Sequence, residues 1–296
     1  MTFGPALHSP VVSTQWLADY LGADELVVLD ATVFASVVQN PHTGTSAAQY
    51  LSGHESYILG GHIPGAHFAD VISDLSDPDG EYPFTRPDAQ RFEAAVGALG
   101  IDNETTVVVY DAAVGQWAAR VWWLFRAFGY DRVAVLDGGL TKWMLEERPT
   151  DIGHVAPHRA IFIAEERPEL WADKAFVEGV VAGTIDATLV CATPPKEFSG
   201  EMVTRARGGH IPGSVSIPAA SLVNDESHAL HDLKSLRTSL EPALGRPRIV
   251  VYCGGGIAAT AAALALTLVG EKSIAVYDGS LNEWASDPES SLATAG

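Results

Sequence analysis

Short runs of β-branched and aliphatic residues alternate along the chain with longer segments whose apolar positions recur at helical spacing. The runs Leu26–Leu29, Thr106–Tyr110, Val133–Leu136, Ile249–Tyr252 and Ile274–Tyr277 are almost wholly apolar, the pattern of strands covered on both faces. Segments Ala118–Phe128 and Ala258–Val269 are long enough for about three helical turns and apolar enough to pack on a sheet. Such alternation predicts βαβ units, hence an α/β fold with parallel sheets flanked by helices on both faces.

The pattern occurs twice. The first half contains Val28-Leu29-Asp30-Ala31-Thr32, Gly61-His62-Ile63-Pro64-Gly65, Val107-Val108-Val109-Tyr110-Asp111 and Leu136-Asp137-Gly138-Gly139-Leu140-Thr141-Lys142-Trp143. The second contains Leu189-Val190-Cys191-Ala192-Thr193, Gly209-His210-Ile211-Pro212-Gly213, Val250-Val251-Tyr252-Cys253 and Tyr277-Asp278-Gly279-Ser280-Leu281-Asn282-Glu283-Trp284. The offsets are 161, 148, 142 and 141 residues, a drift of loop-sized insertions only. Two copies of one domain account for this, and 296 residues exceed one ordinary core. The expected division is an N-terminal domain at 1–150, a linker at 151–167 and a C-terminal domain at 168–296. Pro149, Pro157 and Pro168 punctuate the aperiodic stretch between them.

Composition narrows the function. The chain carries 18 basic and 37 acidic residues, a formal net charge of −19, which repels phosphate backbones and anionic membranes. Nucleic acid is not an expected partner. An anionic small-molecule substrate needs a local positive potential against that field. The stretch Met1–Pro10 lacks a basic region followed by an apolar one, and the most apolar segment, Ile257–Val269, is too short to span a bilayer. The expectation is a cytoplasmic protein without a membrane partner. Its two cysteines, Cys191 and Cys253, fit neither a disulfide framework nor a metal-binding spacing. His54, His62 and His67 are joined by no cysteine or matched carboxylate at ligand spacing. No metal or cofactor is expected.

Cys253 ends an apolar run and precedes Gly254-Gly255-Gly256 and a helix-forming segment. That places its sulfur at the carboxyl end of a buried strand and over a helix N-terminus, where unpaired amides and the helix dipole favour an anion. Glycines let the loop curl its amides around one atom. A thiol there is set to react as thiolate, and the same amides suit a terminal persulfide sulfur. The plain alternative is that Cys253 is a small buried hydrophobe. Three glycines at a helix entry weigh against this, because they cost helix stability unless close backbone approach is needed. A further alternative is a dinucleotide fingerprint, Gly254-x-Gly256-x-x-Ala259, with Asp278 ending the next strand. It sits near the C-terminus, and the first copy, Asp111-Ala112-Ala113-Val114-Gly115, lacks those glycines.

Together with Ser13-Thr14-Gln15-Trp16-Leu17 and Arg120–Gly129, these segments resemble the tandem-domain rhodaneses, the thiosulfate and 3-mercaptopyruvate sulfurtransferases, over nearly the whole chain. The resemblance implies two rhodanese-like domains, the first catalytically silent and the second carrying Cys253 in a loop of Cys253, Gly254, Gly255, Gly256, Ile257 and Ala258. It implies ping-pong transfer of a sulfane sulfur from a small donor, through a Cys253 persulfide, to cyanide, a thiol or a protein acceptor. The uncharged loop resembles that of mercaptopyruvate-preferring members and favours 3-mercaptopyruvate, with thiosulfate as the other donor. Arg205 and Arg207, before Gly208-Gly209-His210, stand where the family has a substrate arginine, which grips a carboxylate or sulfonate through its fork. Gly255 and Ala258 replace hydroxyl residues of mercaptopyruvate enzymes, and Glu197 replaces another arginine. No histidine in Asp77–Pro87 completes a serine–histidine–aspartate relay. A non-catalytic sulfur carrier of the same fold is therefore the alternative. His62 and His210 recur in both copies, so they are expected to be structural. Cys191 is expected in or near the core, and Trp122, Trp123 and Phe125 are expected to pack a helix.

Overall fold

The computed structural model describes residues 4–39 and 46–294. The strands are β1 (Val11–Val12), β2 (Leu26–Asp30), β3 (Val33–Gln39), β4 (Ser46–Ser52), β5 (His67–Phe68), β6 (Thr106–Tyr110), β7 (Val133–Leu136), β8 (Trp171–Ala172), β9 (Thr188–Cys191), β10 (Val215–Ser216), β11 (Ile249–Tyr252) and β12 (Ile274–Tyr277). Two five-stranded parallel sheets result, ordered β1-β7-β6-β2-β5 and β10-β9-β11-β12-β8. Read from opposite ends, the two orders are the same, so the sequence repeat is a repeat of topology. The central strands β6 and β11 are buried at every position, as their unbroken apolar runs require.

The helices Gln116–Ala127 and Ala258–Leu268 pack on each other between the sheets. Around them runs one apolar core that takes Val107, Val109, Trp122 and Leu124 from the first half and Val251, Leu264, Leu266 and Val276 from the second. Each sheet has a separate, smaller core on its outer face. Trp122, Trp123 and Phe125 are all fully buried in the shared core, so neither half closes its inner face without the other. The first of these helices begins two residues ahead of its expected start at Ala118, because the Asp111 carboxylate accepts from the amides of Trp117 and Ala118, both at 2.9 Å.

The stretch 152–167 contains neither helix nor strand, yet it does not hang free. Ala160 donates to the Gly97 carbonyl at 2.9 Å, the Ile163 amide donates to the Asn103 side chain, and Phe162 is buried among Phe92, Phe125 and Tyr130. A second departure from the repeat is the antiparallel pair β3–β4, in register from Val33 opposite Ser52 to Gln39 opposite Ser46. It has no counterpart among the described residues of the second half.

Candidate active site

Strand β11 carries the chain into the loop at Cys253, and neighbouring backbone fixes the loop from behind. Cys253 accepts from the Leu281 amide at 3.1 Å and Gly254 from the Asn282 amide at 2.8 Å. The Cys253 amide donates to the Ser280 hydroxyl at 3.1 Å, which in turn donates to the Tyr277 carbonyl at 2.7 Å. One glycine is sterically required: Gly256, at φ +76°, would place a Cβ 2.9 Å from the Asp278 carbonyl. A Cβ on Gly254 or Gly255 would crowd only the ends of the Arg205 and Asn282 side chains, at 2.7 and 2.8 Å. Among the described residues, no carbonyl or side chain accepts from the amides of Gly254, Gly255, Gly256, Ile257 and Ala258. With the uncapped N-terminus of the helix Ala258–Leu268, they form a nest of donors for an anion.

In the first copy the same place holds Asp111. Its carboxylate is fully buried and accepts from Ala113, Gly115, Trp117 and Ala118 at 2.8–3.0 Å. Desolvation raises the pKa of this carboxyl group, while the amide bonds oppose the rise. One copy thus binds an anion of its own side chain where the other presents a thiol.

Cys253 lies at the floor of a cavity of about 180 Å³. Gly254, Gly255, Ile257 and Ala258 line it beside the thiol, with Thr193, Pro194, Glu197, Arg205 and Asn282 from the same domain. The N-terminal domain supplies Phe84, Gln116 and Trp117, and the β3–β4 hairpin reaches over to add Ala35 and Tyr50. Tyr50 meets Phe84 edge-on at 4.7 Å and Trp117 at 5.9 Å. Burial pushes the Tyr50 phenol up, the Cys253 sulfur adds to this, and Arg205 opposes it, so the phenol is protonated at neutral pH. Arg205 Nη2 holds Glu197 Oε2 at 2.8 Å with both side chains mostly buried, and Thr204 donates to the same oxygen at 3.1 Å.

Arg207 does not join Arg205. Its guanidinium donates to the carbonyls of Trp284, Ala285, Asp287 and Ser290, so the expectation of a substrate contact there is corrected: the fork clamps the C-terminal segment. Gly256 lies in the loop but does not line the cavity. His62 and His210 each bond a carbonyl, of Tyr57 and Phe198, and stack on that ring, which is a turn-fixing role. Cys191 is buried against the Thr193 hydroxyl at 3.1 Å, and burial pushes its thiol up. Among the described residues, no cluster of three or more His, Cys, Asp or Glu side chains is placed to hold a metal. Nor is any helix long and apolar enough to cross a membrane. Asp278, the acidic residue of the fingerprint reading, is held by Arg120 at 2.6 Å and by the Arg86 amide at 2.8 Å, so its carboxylate is committed to protein groups.

Several site residues escaped the sequence reading. Arg120, fully buried in the first domain, crosses to Asp278 at 2.6 Å and also donates to the carbonyls of Phe84 and, at 3.4 Å, Gly256, bracing the cysteine loop from the other domain. The hairpin did leave a signal. Between Asp30 and His62 lie thirteen residues more than between Cys191 and His210, an insertion in the copy that lacks the thiol.

Comparison with known proteins accords with this geometry. The rhodanese-like domain family profile matches residues 13–146 and again 173–287. The thiosulfate sulfurtransferase of Gallus gallus is 33% identical over 289 residues, covering 94% of each chain. The 3-mercaptopyruvate sulfurtransferase of Homo sapiens is 33% identical over 295 residues, 95% of this chain and 93% of the relative. The crystal structure of SseA from Escherichia coli, described with the rhodanese fold of 3-mercaptopyruvate sulfotransferases, superposes with a TM-score of 0.78 at 29% identity, covering 92% of this chain and 98% of that one.

Proposed function

This chain belongs to the rhodanese-like family, as a two-domain sulfurtransferase, and from that premise we propose that Cys253 is its nucleophile and carries sulfur as a persulfide. The observation that carries the reading is the placement of Cys253 at a cavity floor, followed by Gly254–Ala258, whose amides donate to no other group of the described protein.

The favoured donor is 3-mercaptopyruvate. The Cys253 thiolate attacks the donor sulfur, and the carbon–sulfur bond breaks with its electron pair left on carbon. The sulfur-bound proton passes to that carbon, giving pyruvate and the Cys253 persulfide anion. With thiosulfate, the sulfur–sulfur bond breaks and sulfite departs with the pair. Cyanide, a small thiol or a protein thiol then takes the outer sulfur and returns the thiolate. Loop amides that bind the persulfide charge contribute about 1.5–3 kcal/mol each as hydrogen bonds to an ion. Arg205 offers guanidinium N–H groups to a donor carboxylate, and because Glu197 at 2.8 Å offsets its charge, the local positive potential needed in a chain of net charge −19 comes from the loop amides and the helix N-terminus. Both cysteines are free thiols, which suits work in the reducing cytoplasm.

Steady-state thiocyanate formation with each donor, on the parent protein and on Cys253→Ser, tests the assignment. Turnover that vanishes in the variant is the expected result. Turnover that survives it would remove Cys253 from the chemistry, and a persulfide on Cys253 without turnover would make the protein a sulfur carrier.

A further inference from the structure

Among the described residues that line the cavity, Glu197 and Arg205 are the only ones with a carboxylate, ammonium or guanidinium side chain. They are paired at 2.8 Å and both are mostly buried, so before a donor enters the two charges cancel. The pairing also divides the guanidinium. Nη2 is committed to Glu197, whereas Nη1 makes no hydrogen bond among the described residues and is not enclosed as the buried, unpartnered Nε is. One edge of Arg205 is therefore open to a donor, and the other is held by a carboxylate that Thr204 helps to fix.

We propose that Glu197 is a specificity-determining residue that makes this cavity select a sulfur donor with one negative charge, of the α-keto-carboxylate class, over a dianion. The inference rests on the assignment of Cys253 as sulfur acceptor. A monoanionic carboxylate satisfies the open edge of the Arg205 fork and leaves Glu197 paired. A dianion that presents its outer sulfur to Cys253 meets the same single open edge. Its second charge then faces the Glu197 carboxylate at short range, in a site with little water to screen it. The remaining polar side chains of the wall, Tyr50, Gln116, Thr193 and Asn282, are neutral, and the loop amides are directed to the sulfur at Cys253, so neither offsets that repulsion. Glu197 touches no reacting atom in this arrangement and acts on donor choice through charge.

Two readouts on the full-length protein test this. The first is the ratio of kcat/KM for 3-mercaptopyruvate to that for thiosulfate, with cyanide as acceptor. Glu197→Gln should lower the ratio about tenfold, mainly by raising the thiosulfate term. Glu197→Asp, which keeps the charge, should stay close to the parent. The second does not depend on turnover: alkylation of Cys253 by iodoacetamide, slowed by pyruvate as the monoanion or sulfate as the dianion. In the parent, pyruvate should protect at lower concentration than sulfate, and Glu197→Gln should improve sulfate protection about tenfold while changing pyruvate protection less than about threefold. Equal changes for both anions, no change for either, or a parent protected equally well by both would overturn the proposal, and the parent arm needs no variant to fold. Absence of thiocyanate with a shifted protection ratio would sink the sulfurtransferase chemistry assigned to Cys253 and leave the charge selection standing.

Discussion

Ser280 connects the cysteine loop to the strand beside it, and its replacement separates two opposing effects. It stands where the first copy has Gly139, and both adopt left-handed backbone, at φ 50° and 53°. In the first copy a Cβ at that place would lie 2.3 Å from the Asp111 carbonyl, so a side chain is excluded there. In the second copy the serine is accommodated, and its hydroxyl accepts the Cys253 amide at 3.1 Å while fully buried. Ser280→Ala leaves that buried amide unpaired, at a cost of about 1–3 kcal/mol. It keeps a Cβ in a conformation that L-residues resist by about 1–2 kcal/mol. Ser280→Gly loses the same bond but relieves the backbone, so it should be about 1 kcal/mol more stable than the alanine variant. The expected order of melting temperature is parent, then glycine, then alanine, the last two about 2–4 °C apart. Because the bond orients the loop and not the donor, kcat with 3-mercaptopyruvate should fall about tenfold in both variants while KM changes little. A glycine variant no more stable than the alanine variant would refute the backbone argument. Unaltered kcat in both would refute the positioning role.

Three further outcomes are expected. Arg120→Met should cost about 3–5 kcal/mol, since it strips a buried ion pair of one partner and leaves the Asp278 carboxylate uncompensated. Denaturant unfolding measures this, and an unchanged midpoint would mean that the interdomain brace carries no load. Arg207→Ala should lower the melting temperature by loss of bonds to four carbonyls yet leave the donor ratio intact, whereas a shifted ratio would return Arg207 to the substrate site. The Lys174 ammonium bonded to Asp287 holds that carboxyl down to about 2 from its ordinary 3.8. The pair's contribution to stability is therefore complete above pH 3.8 and lost as pH falls through about 2. An NMR titration should show the Asp287 midpoint rising toward 3.8 in Lys174→Met, and an unmoved midpoint would exclude the lysine as the cause.

The parallel sheets and their helices were legible because strands buried on both faces have no polar face to hide them. The repeat was legible because Gly-His-Ile-Pro-Gly fixes the same turn twice. Cys253 stood out through its glycines, of which Gly256 proves to have no room for a Cβ against the Asp278 backbone. What stayed hidden depends on contacts between segments far apart in the chain. Nothing local to Arg120 indicates that its partner lies in the other domain, and nothing local to Tyr50 indicates that a hairpin carries it over the thiol. Arg205 and Arg207 are two residues apart in one loop, and sequence cannot tell which guanidinium faces the cavity and which is spent on the C-terminal carbonyls. Glu197 was visible only as a departure from a family pattern; its pairing with Arg205 turns that departure into a charge argument.

The Asp111 loop bears on the catalytic cycle. In the first copy, folding itself delivers the negative group that its ring of amides grips, permanently and by covalent attachment. On the assignment of Cys253 proposed above, the corresponding group in the second copy arrives as cargo and leaves with each turnover. The sulfur-loaded enzyme should then be the sturdier of its two working forms, and handing the sulfur on should loosen the very loop that must accept the next one.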